Sequence, residues 1–371
     1  MRVALLTNFI PPYRAPLFQA LSKRVGALRV FLSTRMEPNR AWPAQWESID
    51  VEIQKTLTLR RTWRHPYGFE EPLFVHLPYD TLPSLTRFRP RVVLSAEMGL
   101  RSLQAALYAR ATGAKFIIWA TLSEHTEQGR GKLRPLLRRM LLRLADAVIV
   151  NGESGARYVR SLGLPDSRLR RIPQTTQIAP FMACSLDRRP EVARRILYVG
   201  RLIELKNLVA FTSELAAWAE ENPDQRVSFW LVGDGDLRET ILATPHPANL
   251  ELHCTGNVPY EDLPDFYAQG GILTLPTHAD EWGLVVNEAM AAGLPILGSL
   301  HSQAVEELVV DGETGWTFDP AQQGQMRDAI RRAMATPPAR IAQMRARARE
   351  SVSALTPDEV ASRLAGVFAG A

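Results

Sequence analysis

Short apolar runs alternate with longer amphipathic stretches along the first half of the chain. Apolar positions in unbroken runs predict strands at Arg2–Thr7, Leu28–Ser33, Val92–Ser95, Lys115–Trp119 and Ala147–Val150. Apolar positions repeating every three or four residues predict helices at Ala15–Val25 and Ser102–Thr112. Because the strands are apolar throughout and helices separate them, they indicate a parallel sheet that is covered on both faces.

The same alternation of apolar runs and amphipathic stretches begins again after Pro173. It predicts strands at Arg195–Val199, Ser228–Val232, Glu251–Cys254, Ile272–Thr274 and Ile296–Gly298. The expected fold is therefore α/β, with two tandem Rossmann-like doubly wound domains facing a cleft. We place the first domain at residues 1–173, a linker at 174–189, the second domain at 190–355, and a last helix at 356–371 that is able to return to the first domain.

Composition limits the class of protein. Of 371 residues, 46% are hydrophobic and 22% are charged, which is typical of globular proteins. No apolar run approaches the ~18 residues that span a bilayer, and no small-residue cleavage site follows the first apolar run, so we expect no secretory signal. The two cysteines, Cys184 and Cys254, are far apart. They exclude a disulfide framework and favour a cytoplasmic protein.

Charge is distributed unevenly. Residues 1–171 carry 28 Lys and Arg against 13 Asp and Glu, whereas residues 172–371 carry 16 against 26. The basic half includes a predicted helix at 130–144 whose apolar positions share one face and whose arginines occupy most of the rest. These apolar residues are Leu133, Leu136, Leu137, Met140, Leu141 and Leu144, and the arginines are Arg134, Arg138, Arg139 and Arg143.

The basic helix has two interpretations. We favour a domain helix with its leucines in the core and its arginines in solvent. The alternative is that the arginines face anionic phospholipid headgroups. A second basic stretch supports the alternative, since Arg60, Arg61 and Arg64 lie beside Trp63 and Tyr67. Nucleic acid is a rival anion, but no recognised nucleic-acid motif is present, so we expect none as a partner.

Candidate chemistry concentrates in the second half. The segment LYVGRLIELKNL at Leu197–Leu208 is a strand followed by Gly200, Arg201 and Lys206. A flexible lysine beside a rigid guanidinium suits a diphosphate whose charge grows as a bond breaks. The alternative is an ordinary basic loop on the surface.

The segment LPTHADEWGLVVNEAMAAGL at Leu275–Leu294 predicts a helix that Gly283 opens. The amides of Gly283, Leu284 and Val285 would lack intrahelical acceptors, which makes this end suitable for a phosphate. Asp280 precedes the helix and Glu288 lies within it. An isolated carboxylate on this apolar helix needs a partner, which sugar or ribose hydroxyls would supply; an exposed glutamate is the alternative.

With these motifs the chain resembles the retaining family 4 glycosyltransferases of the GT-B fold. The resemblance covers about residues 195–320 through GR…K, VGDG, DEWGLVVNEAMAAGLP and DGETGWTF. The first half agrees more loosely, at Ile10–Phe18 and Leu144–Glu153, and resembles bacterial polysaccharide-building members. The resemblance makes the first domain the acceptor domain and the second the domain that binds the nucleotide sugar.

The resemblance also assigns roles to residues. Arg201 and Lys206 would hold the donor diphosphate. The family's paired acids fall on Asp280, expected at the transferred sugar, and Glu288, expected at the ribose; Glu281 competes for the first role, but its spacing is one residue short. The base would meet backbone groups near Asn257 and Val258. Glu307 resembles a recurrent acid without an assigned role.

The first half departs from the family where many relatives have a glycine-rich turn. Residues 8–14 read NFIPPYR, and their two prolines remove two backbone donors, so this loop cannot cradle a phosphate. Tyr13 and Arg14 are expected to contact the acceptor instead. Glu124 and His125 follow a buried strand where the cleft should open. They are candidates for acceptor or sugar contacts, although a lone histidine there is more often structural.

The predicted reaction moves a sugar from a UDP- or GDP-sugar to a saccharide or lipid-linked acceptor, with retained anomeric configuration. The resemblance implies no metal and no cofactor. One DxD pair, Asp234 and Asp236, could hold a divalent ion, but it falls in the VGDG turn and is interpreted as a turn. Three alternatives stay open: a nucleotide-sugar epimerase of the same fold, a non-catalytic nucleotide-sugar binder, and a nucleic-acid binder.

Overall fold

The computed structural model describes residues 1–37, 46, 48–131 and 133–370. Its contacts divide the chain into two compact units. The first comprises Met1–Gln177 together with Leu355–Ala371, and the second comprises Ile178–Ala354. Each unit contains one parallel sheet covered by helices, so the predicted α/β class with two parallel-sheet domains is confirmed.

The first unit is built on a seven-stranded parallel sheet. The strands of this unit are β1 (Arg2–Thr7), β2 (Ala27–Leu32), β3 (Asp50–Ile53), β4 (Thr56–Arg64), β5 (Glu70–Pro78), β6 (Val92–Ser95), β7 (Lys115–Ala120), β8 (Ala147–Val150) and β9 (Leu169–Arg171), and all of them except β4 and β5 belong to the sheet. Its helices are α1 (Ala15–Ser22), α2 (Thr81–Phe88), α3 (Leu100–Thr112), α4 (Leu133–Leu144) and α5 (Glu153–Ser161). The sheet order is β3-β2-β1-β6-β7-β8-β9, so the winding direction reverses between β1 and β6.

Strands β4 and β5 stand outside this sheet as an antiparallel ribbon. The sequence analysis did not predict it, because charged residues interrupt its apolar positions. Most of its side chains are exposed or only partly buried. Its tip is anchored by Trp63, whose indole Nε1 donates to the Gln128 carbonyl at 2.8 Å. The Arg130 guanidinium lies 3.7 Å from the centre of the Trp63 ring. The ribbon tip is thereby fixed beside the segment that leads into α4.

Helix α4 differs from the favoured interpretation of the basic helix, in which the leucines lie in the core and the arginines in solvent. Leu133, Leu136 and Met140 are 82%, 65% and 40% exposed, whereas Leu141 and Leu142 are buried. Arg138 is buried as well, where it donates to the carboxylate of Glu127. The predicted leucine face is therefore wrong for its first half, because an internal carboxylate lets an arginine occupy a core position. Lys132 lies outside the described residues.

The second unit has a six-stranded parallel sheet. Its strands are β10 (Arg195–Val199), β11 (Val227–Val232), β12 (Leu250–Gly256), β13 (Ile272–Leu275), β14 (Ile296–Ser299) and β15 (Gly315–Phe318). Its helices are α6 (Ala179–Met182), α7 (Leu208–Glu221), α8 (Arg238–Leu242), α9 (Leu263–Gln269), α10 (Leu284–Ala291), α11 (Gln303–Leu308), α12 (Gln325–Ala335) and α13 (Pro338–Val352). The order β12-β11-β10-β13-β14-β15 reverses between β10 and β13.

The last helix, α14 (Pro357–Gly370), belongs to the first unit and packs on α1. Arg24, which follows the end of α1, forms an ion pair with Asp358 at 2.9 Å. The Lys115 ammonium donates to the carbonyls of Phe368 and Ala369, both at 3.3 Å. Of the helices in the described ranges, none combines the length and the hydropathy that a bilayer crossing requires.

Candidate functional site

The predicted donor residues lie at the carboxyl edge of the second sheet. Gly200 and Arg201 follow β10, and the segment 276–283 follows β13. Strands β10 and β13 are adjacent, and the sheet reverses its winding between them. In open α/β sheets the two loops at such a reversal separate and leave a crevice in which ligands bind.

Glycines bring two loops of this edge into backbone contact. The Gly200 amide donates to the Val232 carbonyl at 3.0 Å, and the Leu202 amide donates to the Asp234 carbonyl at 2.9 Å. Gly233 has a φ of +146°, and a Cβ there would lie 1.9 Å from the Gly200 carbonyl oxygen. The VGDG segment therefore needs glycine because the neighbouring backbone is too close for any side chain.

Asp234 is engaged in this turn. Its Oδ1 accepts a hydrogen bond from the Gly235 amide at 2.9 Å, and its Oδ2 lies 3.8 Å from Arg238. In the part of the chain that the structure describes, no group of three His, Cys, Asp or Glu side chains is arranged to hold a metal ion. The contacts of Asp234 are those of a structural turn.

Lys206 and Asp280 form an ion pair across the reversal point. The lysine Nζ lies 2.5 Å from Asp280 Oδ2, and both side chains are mostly buried. The Leu205 carbonyl accepts from the His278 amide at 2.9 Å and from the Thr277 hydroxyl at 3.0 Å. The loop after β10 is thus held against the loop after β13. The sequence predicted both charged residues for the site but not that they pair.

Arg201 is half-buried and lies in the same loop after β10 as Lys206. Within the described ranges, its guanidinium makes no hydrogen bond and no ion pair. The Tyr198 hydroxyl donates to the Arg201 carbonyl at 2.8 Å. Burial raises the pKa of the Tyr198 phenol, the charge of Asp280 raises it further, and the charge of Arg201 opposes the increase. Both charges therefore act on one buried phenol, which lies in β10 just before Gly200.

Helix α10 begins at this region. Gly283 precedes it with a φ of +103°, and a Cβ there would lie 2.8 Å from Ser302 Oγ and 2.9 Å from Leu275 Cδ2. The predicted helix start is therefore correct. The first amides of the helix, including those of Leu284 and Val285, have no acceptor within the helix, so they add positive potential at its start.

Glu288 is not the isolated carboxylate that the sequence predicted, because it has hydrogen-bond partners within the second unit. It is buried, its Oε1 accepts from the Tyr260 hydroxyl at 3.0 Å, and its Oε2 accepts from the Tyr267 hydroxyl at 2.9 Å. Burial raises the pKa of Glu288 to about 7, although the hydrogen bonds from Tyr267 and Tyr260 lower it. Both the unpartnered carboxylate and the exposed alternative are therefore wrong.

The sequence reasoning missed Tyr260 and Tyr267 as polar partners. Tyr260 lies near the middle of the segment TGNVPYEDLPDFY at 255–267, and Tyr267 is its last residue; aromatic residues there look like ordinary core positions. Tyr267 does pack in the core against Phe181, with ring centres 5.2 Å apart. A buried tyrosine hydroxyl still needs a hydrogen-bond partner, and that requirement was the available signal.

Asn257 and Val258 follow β12, the edge strand that lies two strands away from β10. Asn257 is exposed, whereas Val258 is half-buried and packs against the core of the unit. They share the carboxyl edge with the residues around Lys206 but lie at its far end. Their predicted contact with the base stays a prediction.

The candidates of the first unit occupy their own sheet edge. The Arg14 guanidinium lies 5.1 Å from the centre of the Trp119 ring and donates to Gln174 at 3.4 Å. Tyr13 lies in the same short turn, Pro12–Arg14. Their predicted contact with the acceptor stays a prediction.

Glu124 already has partners within the first unit. It accepts hydrogen bonds from Arg157 and from the Ser154 hydroxyl, and His125 Nε2 lies 3.6 Å from its Oε1. Partial burial alone would raise the pKa of Glu124, but Arg157, His125 and Ser154 outweigh it and lower the pKa. Glu124 is therefore an ionised member of a local network.

Two parallel sheets, one with this reversal-point site, define the class: the fold is that of the GT-B glycosyltransferases. Residues 10–175 match a family described as "Glycosyl transferase 4-like domain", and residues 193–336 match "Glycosyl transferases group 1". The chain therefore carries a glycosyl transferase 4-like domain followed by a glycosyl transferases group 1 domain.

Individual proteins agree with this assignment. The chain is 24% identical to the sulfoquinovosyl transferase SQD2 of Arabidopsis thaliana over 294 residues, which are 73% of this chain and 54% of the relative. It is 26% identical to the alpha-D-kanosaminyltransferase of Streptomyces kanamyceticus over 188 residues, 48% of each. The chain spans about half the length of these curated relatives. The crystal structure of Anabaena Alr3699/HepE in complex with UDP superposes with a TM-score of 0.73, at 14% identity and full coverage of both chains.

Proposed function

We propose that the protein is a metal-independent, retaining glycosyltransferase that uses a nucleoside diphosphate sugar. One observation carries the proposal: Arg201, a half-buried cation without an anionic partner among the described residues, lies in the same loop as Lys206, which pairs with Asp280 across the reversal point. An uncompensated cation in such a crevice favours an anionic ligand. The start of α10, at Gly283, adds positive potential to the same loops.

In the proposed reaction, an acceptor hydroxyl oxygen forms a bond to the anomeric carbon while the bond from that carbon to the diphosphate oxygen breaks. The hydroxyl proton passes to the departing diphosphate on the same face of the sugar, so the configuration is retained. Arg201, Lys206 and the helix amides neutralise the departing charge, a role in which one donor typically contributes a few kcal/mol. Asp280 accepts hydrogen bonds from sugar hydroxyls. Each Glu288 oxygen already accepts from a tyrosine hydroxyl and keeps a second lone pair, through which we propose that it accepts from the ribose.

The relatives support the substrate class. The curated relatives are named for transferring sulfoquinovosyl and kanosaminyl groups, and the structural neighbour was solved with UDP. We therefore propose a UDP-sugar as the first donor to test, with a GDP-sugar as second. Asp280 is one methylene shorter than the family's glutamate, so the transferred sugar would approach its carboxylate more closely than in those relatives.

We further propose that the acceptor is lipid-linked, in polysaccharide assembly, and that the protein binds the cytoplasmic membrane face peripherally. Helix α4 exposes Leu133, Leu136 and Met140 on one face, which also carries the exposed Arg139. Apolar side chains bordered by arginine suit an anionic lipid surface. The ribbon tip, fixed through Trp63 beside the segment before α4, extends the basic surface.

A thermal-shift plate of UDP, GDP and their sugars tests donor binding, because a ligand of the folded state raises Tm. Product formation with membrane extract, followed by NMR of the anomeric proton, tests transfer and retention. Conversion of the donor alone would indicate an epimerase, and binding without turnover of any donor would indicate a binder. Salt-dependent retention of DNA without donor binding would favour a nucleic-acid protein. Absence of a shift with every nucleotide would overturn the proposal.

A further inference from the structure

A fully buried arginine lies beneath the reversal point of the first sheet. Arg101, in the first turn of α3, has no exposed surface. Its Nη1 donates to the Thr7 carbonyl at 2.6 Å, its Nη2 donates to Asn8 Oδ1 at 3.3 Å, and its Nε lies 3.4 Å from Glu97 Oε1. Burial lowers the pKa of Arg101, and the charges of Glu97 and Asp80 oppose that change. One guanidinium thus connects the segment after β1 with the segment after β6.

These contacts fix how Asn8 presents its amide. A guanidinium has only donors, so the side-chain oxygen of Asn8 must face Arg101. The Ser33 hydroxyl also donates to that oxygen, at 3.3 Å. The Asn8 NH2 group must therefore point the other way. In the described ranges that NH2 group makes no hydrogen bond.

The Glu97 carboxylate also has one oxygen facing Arg101. Its Oε1 is buried against Arg101, whereas the side chain as a whole keeps 20% of its surface exposed. Its second oxygen, Oε2, accepts no hydrogen bond from any residue that the structure describes. Within the described ranges, the Glu97 carboxylate therefore accepts no hydrogen bond, although its Oε1 is ion-paired with Arg101, and the Asn8 NH2 group donates none. The two groups lie at the ends of adjacent strands.

We infer that Asn8 and Glu97, positioned by Arg101, form a binding site for the hydroxyl groups of a sugar or polyol in the acceptor. A hydroxyl both donates and accepts, so neighbouring hydroxyls match a carboxylate oxygen beside an amide NH2. The position agrees with the general rule, since ligands of parallel sheets bind at the carboxyl ends where the winding reverses. The inference rests on the proposed transfer to a hydroxyl and names the part of the acceptor that the first unit recognises.

Side-chain NMR tests the site directly. In protein labelled with ¹⁵N-asparagine and saturated with UDP, the Asn8 NH2 signal, identified by its loss in Asn8→Asp, should shift saturably with octyl β-D-glucopyranoside below its micelle concentration. Tetraethylene glycol monooctyl ether, which has the same tail without a sugar, should leave the signal in place. An unmoved signal with the glucoside would overturn the inference.

Variants separate binding from folding. Glu97→Gln keeps an oxygen for Arg101 but loses the negative charge, so the affinity for the glucoside, measured by saturation-transfer NMR, should fall at least tenfold with UDP affinity unchanged. Asn8→Asp gives Arg101 a new ion pair, so the variant should stay folded. It should also bind the glucoside more weakly. Glu359→Gln, which removes an exposed partner of Arg363 in the same unit, is the matched control. A lowered Tm of either variant with full affinity for the glucoside would show that Arg101 and its partners only stabilise the packing of the strands.

The same samples keep the two hypotheses apart. Calorimetry with UDP reports the donor site of the second unit, whereas the Asn8 signal reports the first unit. If UDP does not bind but the Asn8 signal shifts, the proposed function fails and the hydroxyl site stands. If UDP binds and the signal does not shift, the hydroxyl site fails alone.

Discussion

Lys206 and Asp280 are 74 positions apart in the chain, yet the lysine ammonium lies 2.5 Å from the aspartate carboxylate. The pair joins the loops that follow two adjacent strands of one parallel sheet. A diphosphate bound there would share the lysine with Asp280 and would meet Arg201 without such competition. The paired Lys206 and Arg201, which has no partner in the part of the chain that the structure describes, therefore give different expectations for substitution.

Lys206→Ala should reduce turnover at least ~100-fold, because it removes a cation from the departing diphosphate. It also leaves the carboxylate of Asp280 largely buried without its partner, so a modest loss of stability is expected. Product formation and Tm measure the two effects. Arg331→Ala, which breaks a surface pair with Glu221, controls for loss of charge. Unchanged turnover in Lys206→Ala would refute its assigned role.

Arg201→Ala should lower the affinity for UDP roughly 10- to 100-fold, since a hydrogen bond to a charged group contributes about 1.5–3 kcal/mol. Its effect on stability should stay within about 0.5 kcal/mol, because no ion pair is broken within the described ranges. Calorimetry with UDP and chemical unfolding test both statements. Arg331→Ala again serves as the control. A stable variant with full UDP affinity would remove Arg201 from the site.

Gly283→Ala should impair UDP binding and stability together. A left-handed φ costs a non-glycine residue roughly 1–3 kcal/mol, and here the new Cβ would also press on Ser302 Oγ at 2.8 Å. Gly324 has a φ of +84° with nothing within 4 Å of its Cβ position. Gly324→Ala therefore matches the backbone strain without the crowding. Equal UDP affinity in the two variants would contradict the importance of the α10 start.

Glu288 should make stability depend on pH. Its pKa is raised from 4.5 to about 7 in the folded protein, so the folded state binds the proton more tightly than the unfolded state between these values. Stability should consequently fall as pH rises from 4.5 to 7, by on the order of 1 kcal/mol per pH unit, and level off above 7.

Urea unfolding across this pH range measures the slope. Glu288→Gln should remove this part of the slope, because glutamine does not titrate. Glu239→Gln, a change in the first turn of the short helix α8, provides a matched comparison in the same unit. A slope that survives in Glu288→Gln would assign the titration to another group.

The exposed face of α4 should mediate binding to anionic membranes. Leu133→Ser combined with Leu136→Ser removes two largely exposed leucines, and each leucine buried in the interface contributes about 1–3 kcal/mol. Flotation with vesicles of phosphatidylglycerol and phosphatidylcholine should show reduced binding, while UDP affinity stays constant. Leu107→Ser, at another exposed leucine of the first unit, is the control. Equal flotation of all three proteins would exclude this face.

The sequence predicted the central strands of both sheets, which are buried on two faces, and missed three edge strands, β3, β9 and β15. A strand such as β8 is apolar at every position and is flanked by turn and cap residues, so its extent is a local property. The start of α10 was also readable, because Gly283 marks a backbone conformation that other residues avoid. The resemblance then assigned roles to residues whose chemistry already suggested them.

Other features depended on contacts between distant segments. The helical period of α4 gave an apolar face, but Glu127 made Arg138 the buried residue and left Leu133 exposed. Likewise, nothing near Glu288 in the sequence indicated that two tyrosine hydroxyls would occupy its oxygens. A hydrogen bond or an ion pair is short-ranged, so its existence is decided only when the fold brings both partners together.

The sequence by itself therefore determined the elements, the α/β class and the residue types of the site. The tertiary structure decided which charges are paired and which are free: Lys206 is matched by Asp280, whereas Arg201 is not matched among the described residues. The physical reason is that periodicity and backbone preference act over a few residues, whereas burial and electrostatic pairing depend on neighbours that the chain supplies from any distance.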